Sequence, residues 1–306
     1  MRFDRDSWTF DCQPTMIDSE VLAFCRDGCV LLRGVVPDEI NRRACDWLDG
    51  TIPAEPGLVP DGMTQAEMDR IRASHEPTTI FLEEWFIEHV LLNPRVAGIM
   101  RSLLGPMVGL PILASLHRVE CPEEAGNWHQ DADCVFGPEL HFVEVFYFPQ
   151  DTPPELGPTE ILAGSHLARF DRSGEPDGGV LSDGPAGTIG IHHQSILHRR
   201  APSVAAGSRR MLKYNYWRTS PPRRDWLDDA AFDPRTADYG GHFVARYVAH
   251  MMAWLAGKGD EFRVIGGQGW PWRTENQIRP SYGFGSAGGY VPDWRKGNSD
   301  GYARSS

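Results

Sequence analysis

Apolar and polar positions recur with two different periods along the chain, and the change falls near residue 105. Before it the pattern is mainly helical. "DSEVLAFCRDG" (18–28) has Asp18 or Ser19 to cap a helix, Val21, Leu22 and Cys25 on one face, and Gly28 to stop it. Cys29 sits four residues after Cys25, on the same face as the helix runs into its turn. "CVLLRGVV" (29–36) is rich in β-branched residues and predicts a short strand. "PDEINRRACDWLDG" (37–50) opens on Pro37 and acidic residues and closes on Gly50, which marks out a second helix. Residues 51–64, rich in Pro and Gly, read as a loop, and residues 81–105 as two helices broken near Asn93–Pro94.

From about 106 to 220 the period shortens. "ILASLHRV", "HFVEVFYF", "TEILAG", "GTIGIHH" and "RRMLKYNYW" are short apolar runs separated by Gly, Pro and Asp, the texture of an antiparallel sandwich or barrel. After a polar loop, "SPPRRDWLDD", the segment 242–257 returns to helical spacing, with Phe243, Tyr247, Val248, Met251, Trp254 and Leu255 on one face. The remaining tail is aromatic, glycine-rich and irregular, and its segment 282–290, "YGFGSAGGY", has the composition of a lid. No internal repeat interrupts this order, so residues 1–306 read as a single domain. Its parts are a mainly helical stretch (about 16–105), a β core (about 106–220), and a C-terminal helix with its tail (about 221–306).

Composition narrows the function classes. Hydrophobic residues at 41% and charged residues at 24% are ordinary for a globular chain able to bury a core. The formal net charge of -12 argues against nucleic acid or an anionic membrane as partner, while leaving room for a local basic pocket. The opening residues hold no apolar signal core and no run approaches a membrane span, so a cytoplasmic protein is expected. The six cysteines are scattered without a Cys-x-x-Cys pair and read as buried free thiols.

Chemistry enters at "GNWHQDADC" (126–134). His129 and Asp131 are two apart, and on a strand both side chains would share one face. Two histidines and a carboxylate on one face of an octahedron suit Fe(II) and leave positions open for a cosubstrate and oxygen. A second histidine must come from His141, His166, His192, His193 or His198. His198 is preferred because a loop and a strand bearing Arg209 and Arg210 follow it. Either arginine has the planar fork that grips the far carboxylate of a dicarboxylate cosubstrate.

These residues and their flanks resemble the phytanoyl-CoA dioxygenase family of Fe(II)/2-oxoglutarate oxygenases over about residues 18–218. "FCRDGCVLLRGVVPDEI" is similar to the family's opening, "LLNPRVAGIMRSLLG" to its helical run before the barrel, and "WHQD" to its metal motif. "FYFPQDTPPELGPTEILAGSH" resembles its mid-barrel signature, and "GTIGIHHQSILHRRAP" the strand that delivers the distal histidine. The resemblance implies a mainly β fold with α elements: a double-stranded β-helix (jelly-roll, cupin-like) core flanked by N-terminal helices and a C-terminal helix. It implies iron held by His129, Asp131 and His198, and Arg209 rather than Arg210 on 2-oxoglutarate. Tyr147 is expected beside the cosubstrate and His117 in the same pocket, while His166 matches a Gly-Ser-His motif that shapes a turn. Ala163 departs from the family's usual proline before that motif, without touching a ligand.

The implied reaction consumes 2-oxoglutarate and O2, releases succinate and CO2, and hydroxylates a small molecule. Desaturation, cyclisation and epoxidation share its oxidant. Asp131 stands where related halogenases have a small residue, so oxidation and not halogenation is expected. Asp133, Phe136 and Trp217 flank the metal-bearing segments and are candidates for the substrate side. The acidic balance, with no Lys/Arg cluster in the mouth loops, favours a small polar metabolite or natural-product intermediate over a CoA thioester. Two other classes stay open: a jelly-roll metal enzyme without 2-oxoglutarate, and an inactive barrel kept for binding. Arg209 at its offset from His198 separates the oxygenase from the first, and the intact ligand set speaks against the second.

Overall fold

A computed structural model describes residues 1–51, 58–60, 66, 78–131, 137–167, 176, 178–241, 244–259, 290–291 and 303–304. Most predicted elements form close to their expected bounds, but the stretch 51–64, expected as a loop, holds a short strand at Leu58–Pro60, and the strand expected over 29–36 ends at Leu32. Helix α1 (Asp18–Asp27) ends at Gly28, whose φ of 74° is the left-handed turn that glycine adopts without strain. Strand β3 (Cys29–Leu32) and helix α2 (Asp38–Thr51) follow. Cys29 therefore opens a strand instead of sharing the helix face of Cys25, because Gly28 turns the chain between them. Cys12, Cys25, Cys29, Cys45 and Cys121 are free thiols, and burial pushes that of Cys29 up to about 11. Thr79–Leu91 is a chain of short helical turns that includes α3 (Glu84–Phe86), and Asn93 caps α4 (Pro94–Leu104) through its side chain. Helix α5 spans Ala245–Leu255. No described helix is long and apolar enough to cross a membrane.

Two N-terminal strands, β1 (Arg2–Asp4) and β2 (Thr9–Asp11), lie in a stretch for which the apolar pattern predicts nothing. At three residues each they are too short for a period of two to register. Asp18 also differs from its predicted role. It does not cap α1; its buried carboxylate accepts from Trp226 Nε1, Arg224 Nη2 and the Asp229 amide, which ties the polar loop onto the helix.

The sheets form a jelly roll. One runs β1-β2-β5-β12-β7-β10-β3, with β5 at Val108–Gly109, β7 at Phe142–Phe148, β10 at Thr188–His193 and β12 at Gly207–Trp217. Strand β6 (Ala114–Cys121) pairs with the first part of β12, and β4 (Leu58–Pro60) pairs parallel with β6. Facing it is the three-stranded sheet β11-β8-β9, made of Leu197–Arg200, Thr159–Leu162 and Val180–Leu181. The large sheet is covered on both sides, which explains why β7 reads as an unbroken apolar run. Val143, Val145 and Tyr147 pack into the main core with residues of the helices. Phe146 and Phe148 point the other way, into the barrel with Met211.

Gly28 is where the helical layer meets the barrel. Its carbonyl accepts from the His193 amide at 2.8 Å, and an added Cβ would lie 2.4 Å from His166 Nδ1. Gly28→Ala should therefore lower stability by about 2 kcal/mol or more, from left-handed strain plus overpacking. Chemical denaturation with circular dichroism tests it; a change under 0.5 kcal/mol would mean that this junction relaxes freely.

Candidate active site

Strand β11 carries His198 and faces the segment bearing His129. Each of the two residues donates its amide to the other's carbonyl at 3.0 Å, an antiparallel bridge that sets the side chains side by side, ring centroids 4.4 Å apart. Their neighbours turn outward and lock the same register. Arg199 lies 4.6 Å over the Trp128 ring and donates from Nε to Glu160 at 2.7 Å. Gln130 Nε2 reaches the Ser195 carbonyl at 2.8 Å, which holds the segment on its far side.

Asp131 completes the group. One donor atom each from His129, Asp131 and His198 lies within 4.8 Å of the others. Both imidazoles have Nδ1 against a backbone carbonyl, Asn127 at 2.9 Å for His129 and Ile196 at 3.2 Å for His198. A carbonyl only accepts, so each Nδ1 carries a hydrogen and Nε2 is the atom turned toward the other two groups. Asp131 Oδ1 is 3.7 Å from His129 Nε2 and 3.9 Å from His198 Nε2. Burial raises the Asp131 carboxyl, but Lys213, His198 and a hydrogen bond with Glu144 outweigh it and hold the group well below the usual carboxylate range. Burial pushes His198 down to about 3, so its ring is neutral at pH 7. Two imidazole Nε2 atoms and an ionised carboxylate converging at one point fit a divalent metal.

Alternation along β12 sorts the arginines. Arg209 is buried, pairs with Val119 of β6 and points into the barrel, where Nη2 donates to Thr159 Oγ1 at 3.0 Å over the Phe148 ring. Arg210 faces the opposite side and is held by both oxygens of Asp49 at 2.8 Å. Met211, Lys213, Asn215 and Trp217 continue the row of Arg209. His117 pairs with Met211 and shares that face. Trp217 ends the row, exposed and 4.7 Å from the Phe142 ring.

Tyr147 departs from expectation. It lies on the other face of β7, in the helical core, with its hydroxyl donating to Asn41 Oδ1 at 2.8 Å. Parity decides this: Glu144, Phe146 and Phe148 face inward, so an odd-numbered position faces out. Asp133 and Phe136 fall outside the described residues, as does the glycine-rich segment 282–290 apart from Tyr290. Sequence reasoning missed Lys213, Glu144 and Thr159. The first was legible from the period of two that starts at Arg209.

Residues 24–211 match the family described as phytanoyl-CoA dioxygenase (PhyH). The chain belongs to the phytanoyl-CoA dioxygenase family. This membership and the His-Asp-His triad assign Fe(II) and 2-oxoglutarate to the site as cofactors. The chain is 26% identical over 153 residues to a probable alpha-ketoglutarate-dependent hypophosphite dioxygenase of Stutzerimonas stutzeri, covering 42% of this chain and 52% of that one. It thus spans about half the length of that curated relative. Among solved structures it is similar to EctD from S. alaskensis with bound Fe, at 18% identity and a TM-score of 0.51, over 78% of this chain and 91% of that one. HygX from Streptomyces hygroscopicus, with nickel and 2-oxoglutarate bound, matches at 16% identity and a TM-score of 0.48, over 74% and 95%. The likeness to EctD supports the jelly-roll fold in this member of the phytanoyl-CoA dioxygenase family.

Buried histidines also surround the junction beside the site. His166 sits in the turn Ser165–Leu167, and its Nε2 donates to the Cys25 carbonyl at 3.0 Å, with the His193 ring 4.6 Å away. Burial pushes His166 down to about 4 from an ordinary 6.5, and lowers His193 as well. A depressed folded pKa contributes stability that is present above the unfolded value and lost as pH falls through the folded one. The metal-free chain should lose on the order of 3 kcal/mol between pH 6.5 and pH 4 from His166 alone. Urea denaturation across this range tests it; a flat profile would mean that His166 charges without cost.

Proposed function

We propose that the chain is an Fe(II)- and 2-oxoglutarate-dependent oxygenase that hydroxylates a small polar molecule. The convergence of the His129, Asp131 and His198 donors carries this reading, with Arg209 opening into the same barrel. The balance is one substrate C–H, one O2 and one 2-oxoglutarate giving one alcohol, one succinate and one CO2. Bound iron with 2-oxoglutarate supplies the oxidising chemistry; this chain's residues bind, orient and keep water away.

Each residue has a definable task. His129, Asp131 and His198 hold the metal through Nε2, Oδ1 and Nε2. Arg209 would hold the far carboxylate of the cosubstrate, and the Thr159 hydroxyl and Phe148 ring fix the guanidinium for that contact. Phe146, Phe148 and Met211 make the surrounding wall apolar, which strengthens the pairing and excludes water. His117, opposite Met211 on β6, and Trp217, at the end of the Arg209 row on β12, are assigned to the pocket wall and the mouth. Asp131 fills the ligand position that a halide would need, which favours hydroxylation over halogenation. The net charge of -12, with no Lys/Arg cluster in the sequence of the mouth loops, favours a small polar substrate over a CoA thioester.

Anaerobic addition of Fe(II) and 2-oxoglutarate should produce a weak visible charge-transfer band. Arg209→Ala should weaken 2-oxoglutarate binding by roughly tenfold to a hundredfold, the worth of a charge-assisted contact. Asp131→Ala should abolish iron-dependent succinate formation. No band in the wild type, together with unchanged cosubstrate affinity in Arg209→Ala, would sink the reading in favour of a jelly-roll metal enzyme without 2-oxoglutarate.

A further inference from the structure

The two oxygens of Asp131 have different partners. Oδ1 is the one turned to both histidines, while Oδ2 accepts a hydrogen bond from the Lys213 ammonium, and Glu144 hydrogen-bonds the same carboxylate. Lys213 stands on the inward face of β12, paired with Ser115 on one side and Phe146 on the other. It is four residues from Arg209, about 13 Å along the strand. We propose that Lys213 is a positioning residue that restricts Asp131 to one-oxygen coordination, which preserves the open metal positions that a chelating cosubstrate requires. This rests on the reading of the metal site given above.

An octahedral metal offers six positions, of which two histidines and one carboxylate oxygen take three. A chelating keto acid takes two and oxygen the last. Carboxylates also bind metals through both oxygens, and Oδ2 swinging onto the metal would remove a position from the cosubstrate. An ammonium is a compact point charge with three donors, suited to holding one oxygen back. It also repels a nearby dication, so Lys213 opposes metal binding while favouring cosubstrate binding. A residue needed only for folding would support both.

The test uses the full chain loaded with Co(II), followed by its ligand-field absorption and by 2-oxoglutarate titration. Lys213→Met should bind Co(II) as tightly as wild type or tighter, bind 2-oxoglutarate about tenfold more weakly, and show an altered Co(II) spectrum before cosubstrate is added. Lys213→Arg, which keeps a cationic donor, should restore both the spectrum and the cosubstrate affinity. If the methionine variant does not fold by circular dichroism, Lys213→Leu takes its place. A neutral variant with wild-type spectrum and wild-type 2-oxoglutarate affinity overturns the inference. So does one that loses Co(II) and 2-oxoglutarate affinity in parallel. A wild-type chain that binds no Co(II) overturns the reading of the site itself, a distinguishable failure.

Discussion

The backbone bridge between His129 and His198 is the constraint on which the site depends. Two 3.0 Å hydrogen bonds join a segment of the loop-rich approach to a strand of the small sheet. Side chains directly opposite in such a bridge share a face, so the pairing itself sets the imidazoles together. The orientation of each ring is then fixed by a carbonyl two residues upstream in its own chain, Asn127 or Ile196. Local backbone thus chooses which nitrogen is offered to a metal. Trp128, Arg199 and Glu160 hold the register from the outer side, where they compete for nothing in the pocket.

The large sheet then supplies the second half of the chemistry because it is buried on both faces. Its outer face meets α1, α2, α4 and α5 in the main core, and its inner face lines the barrel. Gly190 makes this possible beside the site: a Cβ there would lie 2.5 Å from the His192 ring, which fills the space across from Phe146. The inner face consequently holds an apolar end near Arg209, with Phe148 and Met211, and a polar end near Asp131, with Lys213 and Glu144. On the proposed reading a dicarboxylate and a metal place opposite demands on their surroundings, and this gradient would suit both.

Much of this was legible in the sequence, for identifiable reasons. Helices α1, α2 and α4 carry their own punctuation in Gly28, Pro37 and Asn93–Pro94, so their ends follow from local chemistry. His-x-Asp was readable because both residues lie within one short segment, where period two applies; Arg209 lies on the next strand after His198, across a loop, and was legible from its order in the chain. What failed was facing. In "HFVEVFYF" every position of the strand is buried, Glu144 included, so the sequence has no exposed side from which to tell that Tyr147 points at Asn41 and not into the barrel. Lys213 was overlooked for a related reason: its partner Asp131 is 82 residues away, and a lysine on a strand ordinarily faces water.

The two-faced burial of β7 has a consequence for how such an enzyme can change. Its odd positions, Val143, Val145 and Tyr147, belong to the helical core, while Glu144, Phe146 and Phe148 belong to the barrel. Substitution at the first set registers in folding; substitution at the second alters what the reacting centre sees. The strand is therefore a partition between two independently adjustable volumes. A lineage, or an engineer, can re-line one without renegotiating the other, and a single shift of register would exchange their contents and lose both.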